Sequence, residues 1–447
     1  MNDIAVVICN YNKKDFVLNC IESVFKSSFK NFDLIVVDNA STDDSVEAIK
    51  VRFGDKLTLL VNEENLGGSG GFNRGMQYAM DKGHYKYIHL LDNDAVIDKN
   101  AIKELYQFME DNPIAGACGS LIMRMDDTEC VQDLGGMIEP ENLGVKALYC
   151  NQRNVSLPEK VECDYVAACS AIYRTDVLKK TGTINKEFFI YWDDMALSWE
   201  IRLAGYKVFA CSKSKVWHAH TFTFAKDTFG IYYFFRNKIH CFVKYLDDEA
   251  YAKLGENIVK RLFRTFSTGK DRSFDNFSYF HAINDVLNGV TGKAEAYKII
   301  PRPFLSEKFI NIIKDKKNIL ICYDESYLNF HELIDKLKNA TQAELAVVTH
   351  GIELAKIENI AYINNAPNNN SFDLTIKLCH HILDLKNPDK AFVYIDRYHN
   401  QILDDDDFDY YNDLNEKYPF FHNIFYQFVQ SKLDALRKKL RDNVGSV

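Results

Sequence analysis

The chain has 447 residues, 47% hydrophobic and 13% aromatic, with a formal net charge of −9. This composition excludes a disordered protein, the length suggests about two or three domains, and the acidic balance argues against a nucleic-acid partner, which would need a basic field. The longest apolar runs, such as YVAACSAIY at 165–173, fall short of the ~20 residues of a membrane span.

The start, MNDIAVVICNYN, runs straight into a strand pattern without a charged leader, which predicts no signal peptide and a cytoplasmic protein. The runs 4–9, 32–38, 57–62 and 87–92 are short, apolar and end in polar residues, so they predict strands. Between them, 14–27, 43–52 and 72–82 carry helical periodicity. This alternation predicts an α/β fold with a parallel sheet and helices on both faces, whose ligands sit beyond the carboxyl ends of the strands. Four stretches fall there: Asn10 to Asn12, Asp38 to Thr42, Asn65 to Arg74, and Asp92 to Asp94.

Each stretch has a chemical reading and a plainer one. Asp38 ends a buried strand and is placed to bind a base or ribose edge, while Ser41 and Thr42 read as helix caps. NLGGSGGFNRG has five glycines in eleven residues. It predicts a loop, Gly70 within it, that lets backbone approach a diphosphate, with Arg74 at the start of the next helix; tight turns use glycine too. In LLDNDAVID, Asp92 and Asp94 share one side if the chain stays extended, a hard-oxygen pair suited to Mg²⁺ or Mn²⁺; the alternative is an Asp-rich turn.

FFIYWDDMALSWEIRLAGYKV (188–208) sets Asp193 and Asp194 behind Trp192 at the start of a helical pattern, where acids also serve as helix-start charges. His218 and His220, in SKVWHAH, face one side of a predicted strand. The eleven cysteines include no CxxC and read as reduced core residues, without support for zinc. IPRPFLSEK looks like a boundary, and 301–447 reads as a small α/β domain with strands in NILICYD, ELAVVTH and AFVYID. DDDDFDYYNDLNEKYP reads as a solvated acidic loop. The last helix, from residue 420, is apolar on one face and basic at its end. Packing on its own domain, an oligomer contact and a membrane-surface contact all remain open for it.

The first strand–helix–strand segment, the glycine stretch, the DND triplet, WDD and VWHAH together resemble glycosyltransferase family 2, with the GT-A fold. NLGGSGG, WDD and the WH pair, whose His lies 24 residues after Asp194, resemble bacterial galactofuranosyltransferases in particular. YYFFRNKIH (232–240) resembles the segment following the catalytic domain in galactofuranosyl- and rhamnosyltransferases. The resemblance covers about residues 1–300 and implies three parts: a GT-A catalytic domain at 1–230, a helical extension at 231–300 and the C-terminal domain at 301–447, which carries none of its motifs.

The resemblance implies site roles. Asp38, Asn10 and Tyr11 would hold the uracil of a nucleotide sugar, Arg74 and Gly70 would lie near its diphosphate, and Asp92, Asp94 and His218 would bind Mn²⁺ or Mg²⁺, Asp92 also reaching the ribose. Asp194 would be the catalytic base, Asp193 would orient the acceptor, and Trp192 would stack on a sugar. Two departures stand out: Ala196 replaces an acid common two residues after WDD, and the chain lacks the N-terminal β-rich domain of the polymerising mycobacterial enzyme. The implied activity is inverting, metal-dependent transfer from a nucleotide sugar, UDP-galactofuranose preferred, to a glycan or lipid-linked acceptor of a bacterial surface polysaccharide. The setting is the cytoplasm or the inner membrane face. Rhamnosyl transfer from dTDP-rhamnose and a non-catalytic nucleotide-sugar-binding scaffold are the alternatives.

Overall fold

β1 (Ile4–Asn10), β2 (Phe32–Asp38), β3 (Thr58–Val61) and β4 (Tyr87–Asp92) form where runs of Val, Ile and Leu can be covered on both faces. In the computed structural model they pair in parallel in the order β3-β2-β1-β4. The residues described are 1–153, 155–219, 227–267, 274–300, 306–323, 330–349, 357–365, 371–379, 388–396 and 401–442, with 382 and 385. Helices α1 (Lys14–Phe25) and α2 (Ser45–Phe53) bury Val17, Ile21 and Ile49 against one sheet face, where Val6, Ile8 and Val36 point. On the other face Val7, Ile35 and Val37 meet Phe72 and Met76 of α3 (Gly67–Lys82).

Helix α3 corrects the expected glycine loop, because its first turns are the glycine run itself. Glycine costs about 1 kcal/mol per position in a helix relative to Ala, so the periodicity points to a start at Phe72. Close packing reverses that: a Cβ at Gly71 would fall 2.1 Å from Cys9 Sγ, and one at Gly75 2.3 Å from Val7 Cγ1. The helix lies too near the sheet to carry side chains there.

After β5 (Ala95–Ile97) and α4 (Ala101–Asp111) the sheet becomes mixed rather than wholly parallel. It continues through β6 (Ala115–Arg124), with β7 (Val131–Asp133) paired to it, while β8 (Gly136–Glu139) and β9 (Gly144–Ala147) form a separate two-stranded hairpin, and then through β10 (Lys160–Cys163) and β11 (Ser170–Arg174). Helices α5 (Thr175–Thr181) and α6 (Asp193–Leu203) lead to β12 (Lys207–His218), and the main path reads β10-β12-β6-β11-β4-β1-β2-β3. β11 runs antiparallel to β4, and β12 pairs antiparallel with β5, setting His218 opposite Ala95.

Helices α7 (Phe229–Tyr245), α8 (Asp248–Ser267) and α9 (Phe274–Leu287) occupy the stretch expected as a separate extension. The chain divides into two compact units: 237–254 and 289–294 go with 1–221, the rest of this stretch with 295–447.

The second unit includes a small α/β body. It holds α10 (Glu307–Ile313), β13 (Asn318–Tyr323), α11 (His331–Ala340), β14 (Glu344–Val348), β15 (Ala361–Ile363), β16 (Leu374–Cys379), β17 (Val393–Asp396), β18 (Gln401–Ile402) and α12 (Asp405–Asp442). The sheet order is β15-β14-β13-β16-β17-β18, parallel except for β18. The acidic run expected as a loop forms, from Asp405 on, the first turns of α12, which contains Pro419 and places Asp405, Asp406 and Asp407 at its positive end. Val429, Leu433 and Leu436 of α12 are buried, whereas Phe420 is 72%, Ile424 54% and Phe428 57% exposed. Among the described residues no helix is long and apolar enough to cross a membrane.

Candidate active site

Polar side chains close the carboxyl ends of β1 and β2. Asn10 Nδ2 donates to Asp38 Oδ2 at 2.9 Å, and Asp38 also accepts from the Ser41 amide (2.8 Å) and hydroxyl (2.7 Å). Asn10 Oδ1 accepts from Asn93 Nδ2 at 2.8 Å. Asn10 and Asp38 are fully buried, so the direct uracil contact expected of them is not what this arrangement presents: their polar atoms hold the two strand ends together. Tyr11, 42% exposed, is the open group of the set. Ser41 and Thr42 do not cap α2, whose N-cap position is Asp44. Ser41 serves Asp38, and the Thr42 amide donates to Asn12 Oδ1 at 2.7 Å.

At the end of β4 the chain turns instead of staying extended, and the turn brings the DND carboxylates together on His218. Nε2 of His218 lies 3.2 Å from Asp94 Oδ1 and 3.8 Å from Asp92 Oδ2. His218 Nδ1 lies 3.0 Å from Gln132 Nε2 and 3.2 Å from Gln132 Oε1, so the Gln132 amide can serve either tautomer; with Oε1 accepting from Nδ1, the Nε2 lone pair faces the carboxylates. The Lys13 ammonium bridges Asp94 Oδ2 at 2.5 Å. Burial and the neighbouring Asp94 push the Asp92 carboxyl up to about 6, against the pull of His218 and Lys13. For Asp94, burial acts upward but His218 and Lys13 outweigh it and hold the group at about 2.

Two carboxylates and one imidazole, with a lysine already drawn in to neutralise them, form a donor set that fits Mn²⁺ or Mg²⁺. The expected ligands Asp92, Asp94 and His218 are brought together. A thiol joins them: Cys169, Asp92 and His218 each offer a ligand atom within 4.8 Å of the others. His220 lies outside the described residues.

The WDD acids are carried by strained backbone. Phe189, Tyr191 and Trp192 all have φ between 64° and 67°, which non-glycine residues adopt rarely and at a cost of order 1–3 kcal/mol each. Asn237 of α7 stabilises this segment, its Nδ2 donating to the carbonyls of Ile190 (2.7 Å), Phe188 (2.9 Å) and Tyr191 (3.0 Å). The Ser69 amide donates to the Phe189 carbonyl at 3.0 Å, and a Cβ at Gly67 would fall 2.0 Å from that same oxygen.

Asp193 and Asp194 open α6, but the two environments differ. Asp193 is 8% exposed beside Ser69, its carboxyl raised by burial against the pull of that hydroxyl and of backbone amides. Asp194 keeps partial exposure. It accepts from the Met195 amide at 2.7 Å and the Ala168 amide at 3.1 Å, while burial and the Asp193 charge push it up to about 7. Asp92 adds to that upward shift, so the acid pair and the DND carboxylates share one electrostatic site.

Three expected site residues are placed elsewhere. Trp192 is 1% exposed and meets Phe242 edge-on with ring centroids 5.3 Å apart, so it offers no face to a sugar; Tyr191, 41% exposed, is the open aromatic here. Arg74 donates to the Val61 carbonyl at 2.8 Å and to Asn62 Oδ1, which ties α3 to β3 and commits the guanidinium that was expected at the diphosphate. Gly70 is buried within α3, where a Cβ would fall 2.5 Å from Leu66 Cβ; it is a helix packing position, not part of an open loop. Sequence reasoning missed Lys13, Gln132, Cys169 and Asn237 as site residues. Only Asn237 carried a signal, lying inside the YYFFRNKIH segment.

Residues 5–182 match the family model described as Glycosyl transferase family 2. A glycosyltransferase, GlyG, of Streptococcus pneumoniae is 31% identical over 109 residues, 24% of this chain and 35% of that protein. An Escherichia coli enzyme, UDP-Glc:alpha-D-GlcNAc-diphosphoundecaprenol beta-1,3-glucosyltransferase WfaP, is 27% identical over 46% of this chain and 73% of its own length. The O-antigen chain rhamnosyltransferase WbaN of Salmonella anatum is 25% identical over 42% of this chain and 57% of its own length. An uncharacterised Rickettsia felis glycosyltransferase is 33% identical over 24% of this chain, yet only 17% of that protein is matched; with GlyG, this leaves the chain spanning well under half of such relatives. Among solved structures, GalNAc-T7 with UDP, GalNAc and Mn²⁺ superposes with a TM-score of 0.45 at 14% identity, over 60% of this chain and 51% of that one.

Proposed function

We propose that the chain is an inverting, metal-dependent glycosyltransferase that moves a sugar from a nucleotide donor, UDP-galactofuranose preferred, to a glycan or lipid-linked acceptor of a bacterial surface polysaccharide. The observation that carries this reading is the meeting, in one electrostatic site, of the Asp92–Asp94–His218 donor set with a half-buried Asp194 whose carboxyl is raised to about 7. Asp194 takes the acceptor hydroxyl proton as that oxygen attacks the anomeric carbon, the bond from that carbon to the diphosphate breaks, and a single displacement inverts the centre. Asp193, held inward, raises the basicity of Asp194 through its charge. Asp92, Asp94 and His218 would hold Mn²⁺ or Mg²⁺, which when bound supplies Lewis-acid stabilisation of the departing diphosphate. Tyr11 and Tyr191 are the exposed rings available to base and sugar.

The similarity to WbaN favours one second reading, rhamnosyl transfer from dTDP-rhamnose. We place the work at the cytoplasmic membrane face, in keeping with the exposed Phe420, Ile424 and Phe428 of α12 and the exposed Lys438, Lys439 and Arg441 near its end. The test is a donor panel with Mn²⁺ or chelator. Metal-dependent UDP release from UDP-galactofuranose alone supports the assignment; turnover only with dTDP-rhamnose replaces the sugar; metal-enhanced nucleotide binding without turnover on any donor leaves a scaffold.

A further inference from the structure

We propose that the carboxylate–imidazole site is also a zinc site in which Cys169 joins Asp92 and His218, and that zinc held there competes with the metal that would carry the donor diphosphate. The inference rests on the reading of Asp92, Asp94 and His218 as metal ligands. The Cys169 thiol stands with Asp92 and His218 so that one ligand atom of each lies within 4.8 Å of the others, and Asp94 Oδ1 is 3.2 Å from His218 Nε2. Backbone fixes the thiol in place: Cys169 immediately precedes β11, and its carbonyl accepts from the Asp92 amide at 3.0 Å.

Neighbouring ligands of a tetrahedral zinc, with Zn–S ~2.3 Å and Zn–N or Zn–O ~2.0 Å, stand about 3.3–3.6 Å apart. The Asp92–His218 separation of 3.8 Å is near that already. The thiol closes by about an ångström to join, a shift within reach of side-chain rotation. The set then holds one sulfur, one nitrogen and one oxygen, a softer donor set that suits zinc, while Asp94 stays on Lys13. Mn²⁺ and Mg²⁺ behave differently, since they favour oxygen, take about six ligands and leave places for phosphate oxygens. On zinc binding the Cys169 S–H bond breaks, the proton passes to solvent and the sulfur lone pair forms the Zn–S bond, with no change of oxidation state. Cys20, the other thiol at Asp92, donates to its backbone carbonyl at 3.3 Å and does not belong to the set.

Co²⁺ is the spectroscopic probe, because a thiolate–cobalt bond gives a near-ultraviolet charge-transfer band that oxygen and nitrogen ligands do not. The wild-type chain is expected to show this band, Cys20→Ser to keep it and Cys169→Ser to lose it. Zn²⁺ affinity, measured by competition, falls on the order of tenfold or more in Cys169→Ser, while Mn²⁺ affinity, read by electron paramagnetic resonance, changes by less than about twofold. Absence of the band in the wild type, its survival in Cys169→Ser, or equal losses for both metals would overturn the proposal. If wild-type chain shows the band but binds no Mn²⁺, the zinc site stands and the metal-dependent transferase reading falls.

Discussion

Asn237 Nδ2 donates to the Ile190 carbonyl at 2.7 Å, across 47 residues of chain, and so holds the strained turn that carries Asp193 and Asp194. Removing the amide takes one donor from three carbonyls of this strained segment. Asn237→Ala is expected to cost about 1–3 kcal/mol in urea unfolding. The larger loss falls on kcat, on the order of 10²-fold, because the acids shift relative to substrate. Asn237→Asp, which sets a carboxylate against the same carbonyls, should be worse on both counts.

Asp194 gives a pH dependence of defined sign. As a base it works only when ionised, so kcat/KM should rise with pH through about 7, where burial and Asp193 put its carboxyl. Asp194→Asn should remove that limb and lower kcat by roughly 10²–10⁴-fold. Stability moves oppositely: a carboxyl raised in the folded state favours folding while protonated, and that contribution is lost as pH climbs from the ordinary value of about 4 through the folded value. Asp194→Asn should therefore be more stable than wild type at pH 8 in a denaturant titration; lower stability would contradict this.

The glycines of α3 should divide sharply. Gly75→Ala and Gly71→Ala meet Val7 and Cys9 and are expected to destabilise by about 1–3 kcal/mol through overpacking. Gly67→Ala should be the most damaging, since it meets the Phe189 backbone at a φ of +74°. Gly68→Ala, whose nearest atom is Ile190 Cγ1 at 4.0 Å, should be neutral or gain up to about 1 kcal/mol from helix propensity. Thermal melts of the four variants check the order.

Gln132 tests the outer shell of the proposed metal site. Gln132→Leu takes away the partner of His218 Nδ1 and is expected to weaken Mn²⁺ binding by about 10–100-fold. Lys13→Met removes the ammonium now paired with Asp94, so it should tighten Mn²⁺ binding at low salt. Calorimetric titration with Mn²⁺ reads both.

Much of the sheet was legible because its strands are apolar runs covered on both faces: Phe32–Asp38 and Tyr87–Asp92 form with the bounds their sequence implies. Helix α3 was legible only from Phe72, since local propensity argues against glycine and only the approach to Cys9 and Val7 explains it. The start of α12 was hidden by its acids and Pro419, and β16 by Thr375 and Lys377. In the site, Asp92, Asp94 and His218 carried a spacing that could be read. Gln132 meets His218 from 86 residues away and has no local pattern to announce it. Arg74 and Trp192 were misplaced for a related reason: residue type suggested a ligand, while burial and hydrogen bonding committed each to the fold.

The most direct test is release of UDP from UDP-galactofuranose by the wild-type chain and by Asp94→Asn and His218→Ala, with Mn²⁺ and with chelator. The account predicts turnover that chelator abolishes and that either substitution lowers by about 10²-fold or more at fixed Mn²⁺. Turnover indifferent to chelator and to both substitutions would contradict it.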